Sequence, residues 1–180
     1  MKAYMMLSCK ASAFNTIFDE IAVNTVLNKL IHMKLSMNDV FLLSGLFDIL
    51  VQVHFKDLNE FINRWFNPIS AITPEEAMIE KTEMIEKMET LFVLSEGKQY
   101  AQMPYAFLFH NTHPRNVTQV QQDLQSIPNV LSTDIVLGPY DLVSAVKASN
   151  KEDLKRLILE TQKEIPNILG TVTGIVASIN

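Results

Sequence analysis

The clearest pattern of apolar and polar positions lies in the second half of the chain. Tyr105-Ala106-Phe107-Leu108-Phe109 is an apolar run of the length a buried strand needs. His113-Pro114 can open a helix, because a proline in the first turn gives up no helical hydrogen bond. Val117, Val120, Leu124 and Ile127 then recur at helical spacing until Pro128 stops the helix. From Val130 to Leu137 the pattern turns to alternation, with Leu131, Thr133, Ile135 and Leu137 on one face. A strand over 142–148 follows. Ser149 and Glu152 have capping-box spacing, and Leu154, Leu157, Ile158, Thr161 and Ile165 mark an amphipathic helix ended by Pro166. Residues 170–179 read as a last strand. The predicted order, β-α-β-β-α-β, is that of a split βαβ, ferredoxin-like unit.

Both helices of this half stop alike. Ile127-Pro128-Asn129-Val130 ends the first and Ile165-Pro166-Asn167-Ile168 the second. In each, proline terminates the helix, asparagine tolerates the left-handed turn and a β-branched residue starts the next strand.

The first half follows the same plan. Residues 3–8 give a strand, and Phe14, Ile17, Phe18, Ile21, Leu27 and Leu30 a helix longer than its counterpart by about nine residues. Strands follow over 40–44 and 49–55. Leu58, Phe61, Ile62 and Trp65 predict a second helix, with Asn67-Pro68-Ile69 as a worn form of the helix-ending phrase. Thr73-Pro74-Glu75-Glu76 is a helix start without a match in the second half, and predicts a helix around 74–88 carrying Met78, Met84, Ile85 and Met88. Leu91–Leu94 is the fourth strand, and Ser95-Glu96-Gly97-Lys98 the boundary. The expected division is residues 1–97 for a first, degenerate ferredoxin-like repeat and 98–180 for a second.

The two halves share a phrase. Gly45-Leu46-Phe47-Asp48 precedes the apolar run Ile49–Val53, and 93 positions later Gly138-Pro139-Tyr140-Asp141 precedes Leu142–Val146. A glycine-led turn entering a strand at the same place in both halves indicates internal duplication.

Composition narrows the function classes. The 180 residues are 48% hydrophobic and carry a formal net charge of −5, with no basic stripe, which argues against a nucleic-acid footprint. No apolar run reaches the roughly 18 to 20 residues of a membrane helix. The amino-terminal apolar stretch lacks the h-region and cleavage site of a signal peptide, so it is read as a strand and the protein as cytoplasmic. The lone Cys9 excludes an intrachain disulfide framework.

With these motifs in order, residues 104–180 resemble the ligand-binding (RAM) domain of the leucine-responsive regulatory protein/AsnC family of transcription factors. The residues that carry the resemblance are Ile127-Pro128-Asn129-Val130, Gly138-Pro139-Tyr140-Asp141 and Asp153-Leu154; asparagine stands where the family's helix-ending phrase has glycine. The first half resembles it more weakly, through Gly45-Leu46-Phe47-Asp48 and Leu58. Full-length members begin with a helix-turn-helix DNA reader, whereas here the first residues already read as a strand. The expectation is a stand-alone, tandemly duplicated member that does not bind DNA itself. The resemblance implies an α+β chain whose two repeats pair as a dimeric α/β-barrel-like arrangement. It also implies a small-molecule effector such as an amino acid near the Gly-x-Tyr-Asp turn, and assembly with copies of itself or related regulators.

The candidate ligand residues are Gly138, Tyr140 and Asp141, with Gly45 and Asp48 as their first-half counterparts. Glycine permits a positive φ or close backbone approach, Tyr140 supplies a ring and a hydroxyl, and Asp141 an acceptor for an ammonium group. The plain alternative is that Asp141 caps its own turn. Phe47 lacks the hydroxyl, which favours a fold role for that copy. His110-x-x-His113 is read as a loop with a helix-cap histidine rather than half a metal site; no cofactor or metal is expected. Cys9 lacks a base that sequence can place beside it. The methionines read as core or a pliable surface, and Trp65 as core. Two other functions stay open: an enzyme of the monooxygenase or isomerase type that this fold also hosts, with His54 as the candidate if it points inward, and an adaptor that binds only protein.

Overall fold

The computed structural model describes residues 1–9, 26–33, 35, 39–71 and 85–177. Two compact units emerge, one of residues 1–43 and 47–90, the other of residues 44–46 and 91–178.

The second unit has the order expected from its periodicities. Strand β5 (Ala106–Thr112) leads through a 3₁₀ turn at Pro114–Asn116 into helix α3 (Val117–Ser126). Strands β6 (Val130–Leu137) and β7 (Leu142–Val146) follow, then helix α4 (Lys151–Glu164) and strand β8 (Ile168–Val176). All pairings are antiparallel, in the order β8-β5-β7-β6, as in a ferredoxin-like sheet. One face carries both helices. Ala106, Leu108, Val130 and Val146 pack under Leu154 and Leu157 of α4, while Leu142 packs with Val120 and Leu124 of α3. Each of these valines and leucines contributes about 1.5–3 kcal/mol on burial. Phe107 and Phe109 project to the other face and are also buried. The cap of α4 lies one residue later than the capping box suggested: the Asn150 side chain accepts from Asp153 N–H at 2.9 Å. Asn150→Ala is expected to lower stability by about 1 kcal/mol in thermal unfolding, with Ser149→Ala nearly neutral.

In the first half of the chain, strand β1 (Lys2–Cys9), helix α1 (described over 26–32), strands β2 (Val40–Gly45) and β3 (Ile49–His54), a helical run over 58–70 (α2) and strand β4 (Ile85–Ser95) follow in turn. β3 pairs with both β1 and β2, antiparallel. The registers expose the duplication. Val40↔Val51, Phe41↔Leu50 and Leu42↔Ile49 in β2–β3 recur 93 positions later as Thr133↔Ser144, Asp134↔Val143 and Ile135↔Leu142. Leu7↔Ile49 answers to His110↔Leu142. Leu7 to Gly45 therefore spans 38 residues against 28 from His110 to Gly138, an excess of ten rather than nine. Tyr4 accordingly matches Phe107 rather than Ala106; a slip of one residue exchanges the two faces of a strand.

Helix α2 departs from expectation. Residues 58–69 repeat with a period of four: Leu58, Ile62 and Phe66; Asn59, Asn63 and Asn67; Phe61, Trp65 and Ile69. On an α-helix such rows drift by roughly 40° per step. The chain widens instead into a π-helical stretch at Phe61–Phe66, in which Asn67 N–H reaches Ile62 O, five residues back. This keeps Phe61, Trp65 and Ile69 together on the buried side, whereas Leu58 and Ile62, expected in the core, are exposed. Pro68 does not stop the helix. It sits in the first turn of a new α segment, Asn67–Ser70, where its missing N–H matters least.

β4 also begins earlier than the expected Leu91–Leu94. Ile85–Met88, assigned to the end of a helix, are strand. Lys87 and Glu89 form an ion pair, as residues two apart on one strand can and on a helix cannot. The rest of that expected helix, 74–84, and residues 14–25 of the expected helix marked by Phe14 to Leu30 lie outside the described residues.

Between β4 and β5, Gly97 N–H donates to Asp134 Oδ1 at 2.7 Å. A Cβ at Gly97 would run into the Thr133 carbonyl and Ser132 Oγ, so this approach requires glycine.

Candidate functional site

The two Gly-x-aromatic-Asp turns have the same construction. In the second, Asp141 N–H donates to the His110 carbonyl at 2.9 Å, Val136 N–H to the Asp141 carbonyl at 2.9 Å, and Thr112 N–H to Asp141 Oδ2 at 2.8 Å. In the first, Asp48 N–H donates to Leu7 O at 2.9 Å, Leu43 N–H to Asp48 O at 2.8 Å, and Cys9 N–H to Asp48 Oδ2 at 2.7 Å. Each aspartate thus stitches the start of one strand to the ends of two neighbours, and one carboxylate oxygen satisfies an amide donor. Burial follows suit. The glycine and the next residue are exposed, the aromatic residue is buried and the aspartate is half-buried. Tyr140 lies against Phe109, ring centroids 5.3 Å apart. The exposed Leu137, Gly138 and Pro139 form the rim of the second turn. Of the two turn glycines, Gly45 has the positive φ, +156°.

Residues 106–179 match the family described as the Lrp/AsnC ligand binding domain. This stretch is similar to an Lrp/AsnC ligand-binding domain. It is 34% identical over 74 residues to an uncharacterised HTH-type transcriptional regulator of Pyrococcus abyssi, covering 41% of this chain and 47% of that protein. A second HTH-type regulator of that organism is 36% identical over 57 residues, 32% of this chain and 38% of its own. The chain thus spans about half or less of the curated relatives it matches. Among solved structures, the siroheme decarboxylase NirDL superposes over 99% of this chain and 71% of its own with a TM-score of 0.55 at 7% identity, a likeness of fold alone.

Within the matched stretch, sequence reading missed His110. It was expected in a loop, but β5 runs on to Thr112 and buries it completely. His110 Nδ1 lies 3.0 Å from Thr171 Oγ1, and Nε2 lies 3.2 Å from Ser144 Oγ. Ser144 Oγ is 2.9 Å from Thr133 Oγ1, and the Thr133 carbonyl accepts from Gln121 Nε2 of α3 at 2.9 Å. Burial pushes the His110 ring down from 6.5 to about 4, so it is neutral at physiological pH. The polar row crosses β8, β5, β7 and β6 on the helix-bearing face of the second unit. In the first repeat the corresponding residues are Leu7, Val51 and Val40, all buried and apolar. The signal available in sequence was the set of polar residues at inward positions: Thr133 on the apolar face of β6, Ser144 inside the apolar run of β7, and His110, which pattern reading left in a loop.

Other candidates separate. His113 is exposed at the cap of the 3₁₀ turn while His110 is buried, so the pair does not converge. Among the described residues no group of three or more His, Cys, Asp or Glu could hold a metal. His54, expected to matter if it pointed inward, is exposed at the end of β3. Cys9 is buried, and burial together with the Asp48 carboxylate pushes its thiol up to about 12, away from nucleophilic thiolate chemistry. No helix among the described residues is long and apolar enough to cross a membrane.

Proposed function

We propose that the chain is a small-molecule-sensing module of the Lrp/AsnC effector-binding type. It takes a small molecule such as an α-amino acid at the Gly138–Asp141 turn and acts on related regulators through assembly. The observation that carries this reading is an intact Gly-Pro-Tyr-Asp turn inside a matched ligand-binding domain. Gly138 offers exposed backbone to a ligand. Tyr140, seated on Phe109, and Asp141, anchored through Oδ2, hold that backbone in place. Asp141 Oδ1 is the acceptor for the ammonium group. Gly45 and Asp48 repeat the construction without the tyrosine hydroxyl and serve the fold of the first repeat. We assign the repeats to residues 1–97 and 98–180, a division supported by the recurring strand registers. HTH-type regulators among the relatives support regulatory partners of the same family.

Native mass spectrometry with and without a panel of amino acids tests the reading. Binding of at least one, with a change in the distribution of oligomers, is expected. The absence of both counts against sensing.

A further inference from the structure

The polar row on the helix-bearing face ends at the candidate turn. His110 supplies the carbonyl that takes Asp141 N–H, and Thr112, two residues on, supplies the N–H for the Asp141 carboxylate. From the His110 ring, bonds run to Ser144, to Thr133 and, through the Thr133 carbonyl, to Gln121 on α3, with a weaker share to Gln125 at 3.1 Å.

Proton counting gives this chain a direction. Thr133 and Ser144 are fully buried, and the Thr133 hydroxyl has Ser144 Oγ as its hydrogen-bond partner. If Thr133 donates to Ser144, Ser144 donates to His110 Nε2, and Nδ1–H donates to Thr171, so every buried donor is satisfied. Reversed, Nε2–H donates to Ser144 and Ser144 to Thr133, which leaves the Thr133 proton without an acceptor among the described residues. An orphaned buried donor disfavours that order by about tenfold or more. The first repeat cannot carry such a chain, because Leu7, Val51 and Val40 occupy the matching positions.

We propose that Thr133, Ser144, His110 and Thr171 form a one-way hydrogen-bond chain that couples the Gly138–Asp141 turn to helix α3, with His110 as the positioning residue at the turn. The coupling itself is independent of the sensing reading; its use, to let occupancy of the turn be felt on α3, rests on it.

Two ligand-free measurements test it. Long-range ¹H–¹⁵N spectra of histidine-labelled protein are expected to show His110 as the Nδ1–H tautomer, and an Nε2–H tautomer overturns the proposal. Amide hydrogen exchange then reads the coupling. Gln121→Ala is expected to speed exchange at Thr112 and Asp141 by about threefold or more relative to Ala106 and Val146 at the far end of the strand pair. In a background of His110→Leu, Ser144→Val and Thr133→Val, the same change is expected to leave that ratio unaltered. A uniform change at all four amides in the wild type, as a merely structural role would give, contradicts the coupling. Should the triple variant not fold, the two wild-type-background results stand as the test.

Discussion

Acidification from pH 6.5 to about 4 is expected to remove about 3 kcal/mol of stability through His110 alone. The ring has a folded-state value of about 4, held down by burial, against 6.5 in the unfolded chain. Between these values the unfolded chain binds a proton that the folded chain refuses, so stability falls as pH falls across the window. Above it the ring is neutral in both states and contributes no slope. Below it both states are charged and the loss is complete. Protonation would also remove the Nε2 acceptor from Ser144, so the charge would arrive with a broken bond. Urea unfolding at a series of pH values, wild type against His110→Gln, checks this. The variant is expected to be less stable at pH 7 and to lose the slope between pH 6.5 and 5, above the usual carboxylate range. Equal slopes in both proteins would remove His110 from the account.

Asp141→Ala and Asp48→Ala are each expected to lower stability by about 1–3 kcal/mol, and the corresponding Asn variants by less than about 1. The reason is the fixed pairing of Oδ2 with Thr112 N–H in one copy and Cys9 N–H in the other. Alanine strands an amide donor that the structure largely shields, whereas asparagine retains an acceptor of the same reach. Chemical denaturation of the four variants is the measurement. If Asp141 served a ligand alone, its Ala and Asn forms would both match the wild type in stability, and Asp48→Ala would differ from Asp141→Ala. Similar losses in the two copies mark the carboxylates as strand clamps, with any ligand role for Asp141 added to that duty.

The order of elements was legible because each amphipathic helix and alternating strand announces its own period. The duplicated turn was legible because glycine, aromatic and aspartate serve local needs that recur in both copies. What escaped depended on distant partners. His110 ends an apolar run and is followed by Asn111 and Thr112, so a local reading closes the strand at Phe109. Only Ser144 and Thr171, 34 and 61 residues away, make burial of the ring affordable. Ile85 and Met88 fit a helix by spacing yet lie in an eleven-residue strand, where tertiary context outweighs a weak local preference. The π-helical stretch was written in the four-residue repeat of 58–69, a period that neither an ideal helix nor a strand produces. At the candidate site a capping role for Asp141 was legible within its own turn, whereas the geometry places the capped amides on neighbouring strands, at Thr112 and Cys9.

The central claim is that the second repeat senses a small molecule at its Gly-Pro-Tyr-Asp turn. ¹H–¹⁵N NMR titration with each common α-amino acid tests it most directly. Saturable shifts at the amides of Gly138, Tyr140 and Asp141 with at least one of them are the predicted result. Spectra unchanged by every amino acid, or shifts confined to residues remote from that turn, would contradict it.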